Sequence, residues 1–234
     1  MAVETLEELV DTLGFLSSAG VDRMPRGPGV AVVTFGGGIG VLAADHCARH
    51  GLRTPALRAA TQAALAPVVP PIAATENPID LTPQVFNQAQ WFTHFSRALD
   101  LIAQDDGIDS VLLAFGPMAQ RGVETAREIC AFRTRTNRAV AIAWPLAPRG
   151  VPEVLREAGV YTFDEPARAI EVLARIARRE VSAGAATEVE TSPGFDWARH
   201  VPDPRAGMVI TEHACHQILR EAGLAVAPGR LATS

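Results

Sequence analysis

VAVVTFGGGIGVLAADHCARHGL, Val30 to Leu52, decides the fold of this 234-residue chain. Six residues suited to a buried strand, Val30 to Phe35, run directly into Gly36, Gly37 and Gly38, and a helical pattern starts at once, about Ile39 to His50. A strand that passes into a helix through a tight turn is the opening of a β-α-β unit. Each glycine there loses more backbone entropy on folding than an alanine would, so the bare backbone has to serve something. Gly51 then ends the helix as glycine commonly does.

Working outward, the alternation continues. Thr54 to Leu57 is expected to be a short second strand, RAATQAALAPV a helix stopped by Pro67, and the proline-rich VVPPIAATENPIDLTP an ordered loop. Apolar side chains at Val85, Phe92, Phe95, Leu99 and Ile102 form a helical stripe between Gln84 and Gln104. Asp109 to Pro117 is an apolar run closed by Gly-Pro, as a strand buried on both faces requires. Helix Gln120 to Arg133, strand Ala139 to Trp144, helix Val151 to Glu157, strand Val160 to Phe163 and a helix from the Asp164 cap to Arg179 follow. Upstream, Thr5 to Ser17 reads as a first helix.

The expected architecture is therefore α/β: a flavodoxin-like, five-stranded parallel sheet in the order 2-1-3-4-5, with helices on both faces. It spans residues 30–180, after an N-terminal helix and linker at 1–29. Residues 181–209 carry linker chemistry, and 210–234 read as helix Thr211 to Ala222, a Gly223 cap and strand Ala225 to Leu231. One helix and one strand bury no core, so this tail is expected to be the beginning of a further domain.

Composition narrows the function. The net charge is −5 and no basic run exists to neutralise phosphates of a nucleic acid, so no nucleic-acid partner is expected. All 21 cationic side chains are arginines, which excludes a P-loop lysine and a Schiff-base lysine. Cys47, Cys130 and Cys215 are odd in number and widely spaced, the pattern of reduced thiols in a cytoplasmic protein. The start of the chain has no signal-peptide pattern, and no apolar run approaches a membrane span.

At the end of the first strand of an open parallel sheet, backbone N–H groups and the helix dipole form an anion site, and glycine lets a phosphate reach the peptide plane. Gly36, Gly37, Gly38, Ile39 and Gly40 are the candidate phosphate-binding residues. The competing reading is that they permit only a tight turn and close helix packing. The dinucleotide fingerprint fails, since G-x-G-x-x-G would need glycine at Val41 and no acid ends the second strand near Leu57.

TFGGGIGVLAADHCARHGL, TQAALAPVVPPIAATENPIDLT and VLLAFGP, in that order, resemble the NDP-forming (ADP-forming) acyl-CoA synthetases, relatives of succinyl-CoA synthetase. The tail ITEHACHQILREAGLAVAPGRLATS is similar to the opening helix and strand of that family's ATP-grasp domain. The resemblance implies a ligase-CoA domain within an enzyme that joins a carboxylic acid to CoA at the expense of ATP. The phosphate passes through a histidine on a mobile loop, and glycine-opened helix N-termini hold that phosphohistidine. The loop Gly36 to Gly40 corresponds to one of them. No Ser-His-Thr-Gly-like loop occurs in this chain, so the resemblance places no catalytic residue here and implies that the chain alone is inactive. CoA, ATP or ADP and Mg²⁺ would bind the full enzyme, and this chain alone would hold at most phosphate or sulfate. The implied partners are the CoA-binding, phosphohistidine and ATP-grasp domains of the same enzyme, with a homo-oligomer left open.

Supporting positions follow the same motifs. Asn77 is expected to shape the turn before Pro78. Asp80 either caps its loop or orients the incoming histidine, and the resemblance favours the second. Gly116, ending the central strand at the same edge, lines the site or makes a plain turn. Arg121 is an exposed arginine or a phosphate contact, and Asp45 is expected to make a hydrogen bond on its helix flank. His46 and His50, one turn apart, point along the helix flank; with Cys47 they suggest a metal, but a Cys-x-x-His pair supplies only two of the roughly four ligands needed, so they read as surface or partly buried helix residues and no metal site is expected. His213 and His216 read likewise. The alternative of another class is a stand-alone flavodoxin-like binding or assembly module; a nicotinamide oxidoreductase is weaker still.

Overall fold

A computed structural model of the chain describes residues 3–118, 121–183, 195–200 and 210–229. The chain divides into two compact units, Met1–Ala185 and Ala186–Ser234. The first carries the parallel sheet. Its strands are β1 (Val30–Thr34), β2 (Ile79–Asp80), β3 (Ser110–Ala114) and β4 (Ala139–Ala143), in the spatial order β2-β1-β3-β4. The helices of this unit are α1 (Leu6–Ala19), α2 (Gly37–Arg49), α3 (Ala59–Leu65), α4 (Trp91–Gln104), α5 (Gly122–Arg135), α6 (Val151–Glu157) and α7 (Pro166–Ala183).

β1, β3 and β4 are buried at every residue, because each is covered on both faces. Successive side chains alternate between two cores. Val33, Val111, Leu113 and Ile142 face Phe95, Leu99, Ile129 and Phe132 of α4 and α5. Val32, Leu112, Ala141 and Ala143 face Phe15 of α1, Ala43 and Cys47 of α2, and Ile170 and Leu173 of α7.

The sheet has four strands among the described residues, where five were expected. Val160 to Phe163 contributes one parallel bridge, Ala143 to Phe163, with Phe163 N donating to Ile142 O at 2.8 Å. The chain then turns into α7 before a ladder can extend. The second strand also lies elsewhere than expected. Thr54 to Leu57 is not a strand; only Arg53 bridges the sheet, at Gly29, before Pro55 removes a donor. Its place beside β1 is taken by Ile79-Asp80, within the segment expected to be loop.

The reason is local. Asn77 Oδ1 accepts from Val32 N at 3.0 Å and its Nδ2 donates to Val30 O at 2.7 Å, so a side-chain amide continues the ladder where Pro78 has no N–H to offer. A two-residue strand after a proline carries no period to read.

The helix expected over Gln84 to Gln104 is split. A 3-10 turn over Pro83–Asn87 precedes α4, leaving Trp91 and Phe95 buried and Phe92 exposed. Asp164 lies two residues before α7 and its carboxylate pairs with Arg168. In the second unit, α8 (Trp197–His200) and α9 (Glu212–Glu221) are helical, Thr211 Oγ1 caps α9 by accepting from Ala214 N, and residues 225–229 form no strand. Much of the expected linker at 181–209 and the end of the expected tail strand lie outside the described residues. No helix among the described residues is long and apolar enough to cross a membrane.

Candidate functional site

α2 begins at Gly37, with Gly36 as its N-cap in extended conformation and no side chain capping it through a hydrogen bond. A helix N-terminus leaves its first amides without intrahelical partners. Ile39 N and Gly40 N return to Gly36 O, and Gly36 N donates to Thr34 Oγ1 at 3.1 Å. The amides of Gly37 and Gly38 donate to no described residue. Two adjacent N–H groups at the positive end of a 13-residue helix thus have no partner among the described residues, an arrangement able to donate to an anion.

The glycines differ in what holds them in place. A Cβ at Gly40 would stand 3.1 Å from Pro78 Cβ and 3.2 Å from Thr34 Cγ2, so Gly40 permits α2 to lie close on β1 and the Pro78 turn. At Gly36 and Gly38 a Cβ would meet nothing within 4 Å, and neither residue has positive φ. Nothing within the described chain requires glycine at those two positions. The turn-and-packing reading thus accounts for Gly40 and leaves Gly36 and Gly38 unexplained.

Asp80 ends β2 beside the loop. Its Oδ2 lies 3.3 Å from where a Gly37 Cβ would be, while its Oδ1 accepts from Thr82 N at 2.9 Å. One carboxylate oxygen is used within the chain and the other faces the glycines. Gly116 comes to the same edge, where a Cβ would stand only 2.9 Å from Ile39 Cδ1. Gly36 and Gly116 share a hollow of about 450 Å³ walled by Phe35, Phe86, Pro117 and Met118. Phe35, one of its walls, stacks on the buried Phe115 with ring centroids 4.6 Å apart, which ties that wall to the core.

Other candidates lie apart from this edge. Asn77 does not merely shape a turn; it ties β1 to the incoming chain, with a third bond from Nδ2 to Pro55 O at 3.0 Å. Arg121 sits with its guanidinium 5.6 Å from the Trp91 ring centroid and 3.5 Å from Glu124. Asp45 is exposed and makes no hydrogen bond to a described residue, unlike the flank bond expected of it. His46 and His50 face α7 rather than the helix start, each near Glu171. Cys47 is buried in the core, and burial pushes its thiol up to about 12, which keeps it an unreactive thiol.

Thr34 is the site residue that sequence reasoning missed. Its hydroxyl also donates to Gly36 O at 3.2 Å, so it grips both backbone groups of the N-cap. A threonine in an apolar run reads only as a good strand former.

Residues 30–167 match the family model described as the Ligase-CoA domain. The chain belongs to that family. Proteins similar to the chain include acetate–CoA ligase [ADP-forming] I of Archaeoglobus fulgidus, 27% identical over 152 residues, 64% of this chain and 21% of that protein. Acetate–CoA ligase [ADP-forming] II subunit alpha of Pyrococcus furiosus is 29% identical over 112 residues, 48% of this chain and 22% of that subunit. This ligase-CoA domain chain therefore spans about a fifth of the length of those relatives. A crystal structure from Pyrococcus horikoshii OT3 superposes with a TM-score of 0.66 at 23% identity, over 78% of this chain and 42% of that one. The dinucleotide-forming acetyl-coenzyme A synthetase 1 of Ca. Korarchaeum cryptofilum, in complex with phosphate and ADP, superposes at 0.63 and 21% identity, over 79% and 40%. These two share the ligase-CoA domain's fold.

Proposed function

We propose that this chain works in the cytoplasm as part of an ADP-forming acid–CoA ligase, where it presents the N-terminus of α2 to a phosphohistidine carried on another domain. One observation carries the reading: the Gly37 and Gly38 amides have no partner among the described residues, and nothing around Gly36 and Gly38 in this chain needs glycine. The named relatives, both ADP-forming acetate–CoA ligases, supply the reaction class.

In this reading the two amides donate to phosphoryl oxygens as the phosphate arrives, and Ile39 and Gly116 shape the wall beside it. Attack through one imidazole nitrogen leaves the N–H on the other and gives a phosphoimidazolium, and the free oxygen of Asp80 is the acceptor that stabilises this protonated form and fixes the ring's orientation. The apolar hollow over Phe35 and Phe86 excludes water, which strengthens those bonds and protects the phosphoramidate from hydrolysis. Phosphate then moves between the histidine and a carboxylate substrate. CoA and the nucleotide with its Mg²⁺ are assigned to the CoA-binding and ATP-grasp domains, residues 181–209 to a linker, and residues 210–234 to the start of the ATP-grasp domain.

The test is reconstitution. Combined with the histidine-bearing, CoA-binding and nucleotide-binding domains, the chain restores thioester formation from ATP, CoA and acetate; alone it gives neither thioester nor phosphoprotein. Acid-labile, base-stable phosphorylation of this chain alone, with ATP, overturns the assignment.

A further inference from the structure

We propose that His46 and His50 of α2 and Glu171 of α7 form a binding site for a zinc-class divalent cation that clamps the two helices together. This inference does not rest on the ligase reading. The two histidines are one helical turn apart, so their rings lie on one face, centroids 4.8 Å apart. The structure adds what the sequence lacked, a carboxylate from an element 121 positions beyond His50. The Nε2 atoms of His46 and His50 lie 3.6 and 4.0 Å from Glu171 Oε1. One donor atom from each of the three residues falls within 4.8 Å of the others.

Those separations are too long for hydrogen bonds and close to what a shared cation demands. Ligands about 2.0–2.2 Å from a tetrahedral zinc stand about 3.3–3.6 Å from one another, so the three donors need to close by only about 1.5 Å at most. His46 Nε2 is buried and has no hydrogen-bond partner among the described residues, although a carboxylate faces it. A buried nitrogen normally finds a partner, so an atom left this way needs an explanation. A cation between Nε2 and Oε1 satisfies both.

Glu171 is reserved for this role by its neighbours. Arg168 and Arg175, three residues before and four after it on α7, turn to α1 instead, pairing with Asp11 at 2.7 Å and Glu8 at 2.9 Å. Among the described residues Glu171 is paired only with the two histidines. Two imidazoles and one carboxylate suit zinc, cobalt or nickel in preference to magnesium or calcium, which prefer all-oxygen sites. Three protein donors leave a fourth position, and His46 also lines a hollow of about 270 Å³ with Leu42, Arg49 and Glu165, where a water or a small anion can complete the shell.

The experiment titrates the full chain with Zn²⁺ against a chromophoric chelator and with Co²⁺ by visible absorption, alongside melting curves. The parent binds one equivalent with tetrahedral cobalt bands and melts higher with zinc. His50→Ala weakens binding by at least about 100-fold, beyond the 10–100-fold that outlying partners of metal ligands supply. Glu171→Gln, which keeps the side-chain shape, also weakens it and abolishes the zinc-dependent rise in melting temperature. His213→Ala, in the second unit, leaves both unchanged. Unaltered affinity in folded His50→Ala and Glu171→Gln chains, or loss of the site in His213→Ala, overturns the proposal.

Discussion

Thr34 Oγ1 accepts a hydrogen bond from Gly36 N at 3.1 Å and returns one to Gly36 O, fixing the N-cap of α2 from the last residue of β1. The hydroxyl takes up the amide nearest the strand and leaves the next two, those of the exposed Gly37 and Gly38, without a partner among the described residues. Thr34→Val keeps the shape and removes both bonds. It should destabilise the domain by about 1–2 kcal/mol and slow phosphate transfer in the reconstituted ligase. Urea denaturation with rapid-quench kinetics measures the two effects. Parent-like values in both would mean that Thr34 does not hold the loop.

Asn77 has a structural task in the β1–β2 pairing. Asn77→Ala strands the buried N–H of Val32 and C=O of Val30 at the edge of β1. The expected loss is about 2–4 kcal/mol in urea unfolding, since two groups are left unsatisfied. Activity per folded molecule should fall far less than after a change at Gly38. A neutral Asn77→Ala would contradict the view that this amide completes the β1–β2 pairing.

The alkaline limb of stability should depend on Tyr161. Burial first, then the hydrogen bond to Asp11 at 2.5 Å and that residue's charge, push the phenol up to about 12 from an ordinary 10.0. A group whose pKa is raised by folding stabilises fully below its unfolded value, and that contribution is lost as pH rises from about 10 to about 12. Tyr161→Phe should flatten the fall in melting temperature across this window. An unchanged slope would separate Tyr161 from the alkaline transition. Asp11 is itself buried and bonded to Tyr161 and Arg168, while Glu7 at 2.9 Å stays on the guanidinium, so Asp11→Ala should lower stability by about 1–3 kcal/mol in urea unfolding.

How far the sequence reveals this molecule depends on where its order comes from. β1, β3 and β4 are legible because burial on both faces makes each a continuous apolar run. β2 is not, because Pro78 interrupts the pattern and Asn77 supplies the pairing through a side chain. The strand expected at Val160 is cut to one bridge, although Asp164 and Pro166 mark the turn into α7 in the sequence. The glycine loop stands out in the sequence, yet only the three-dimensional neighbours separate Gly40, held by Pro78, from Gly36 and Gly38, held by nothing. Glu171 meets His46 and His50 through tertiary packing alone.

The most direct test of the central claim is Gly38→Val in the reconstituted ligase, read as two quantities on one sample, melting temperature and the rate of phosphate transfer to and from the histidine. Valine in the first turn costs a helix only about 0.5 kcal/mol or less relative to other ordinary residues, and its side chain meets no described atom within 4 Å at the Cβ position. The branched side chain would instead stand where the phosphoryl oxygens approach. The account predicts a melting temperature close to that of the parent and a transfer rate lowered by at least about 100-fold, the scale on which losing one oxyanion donor acts. A Gly38→Val enzyme that melts like the parent and transfers phosphate at the parent rate would contradict it.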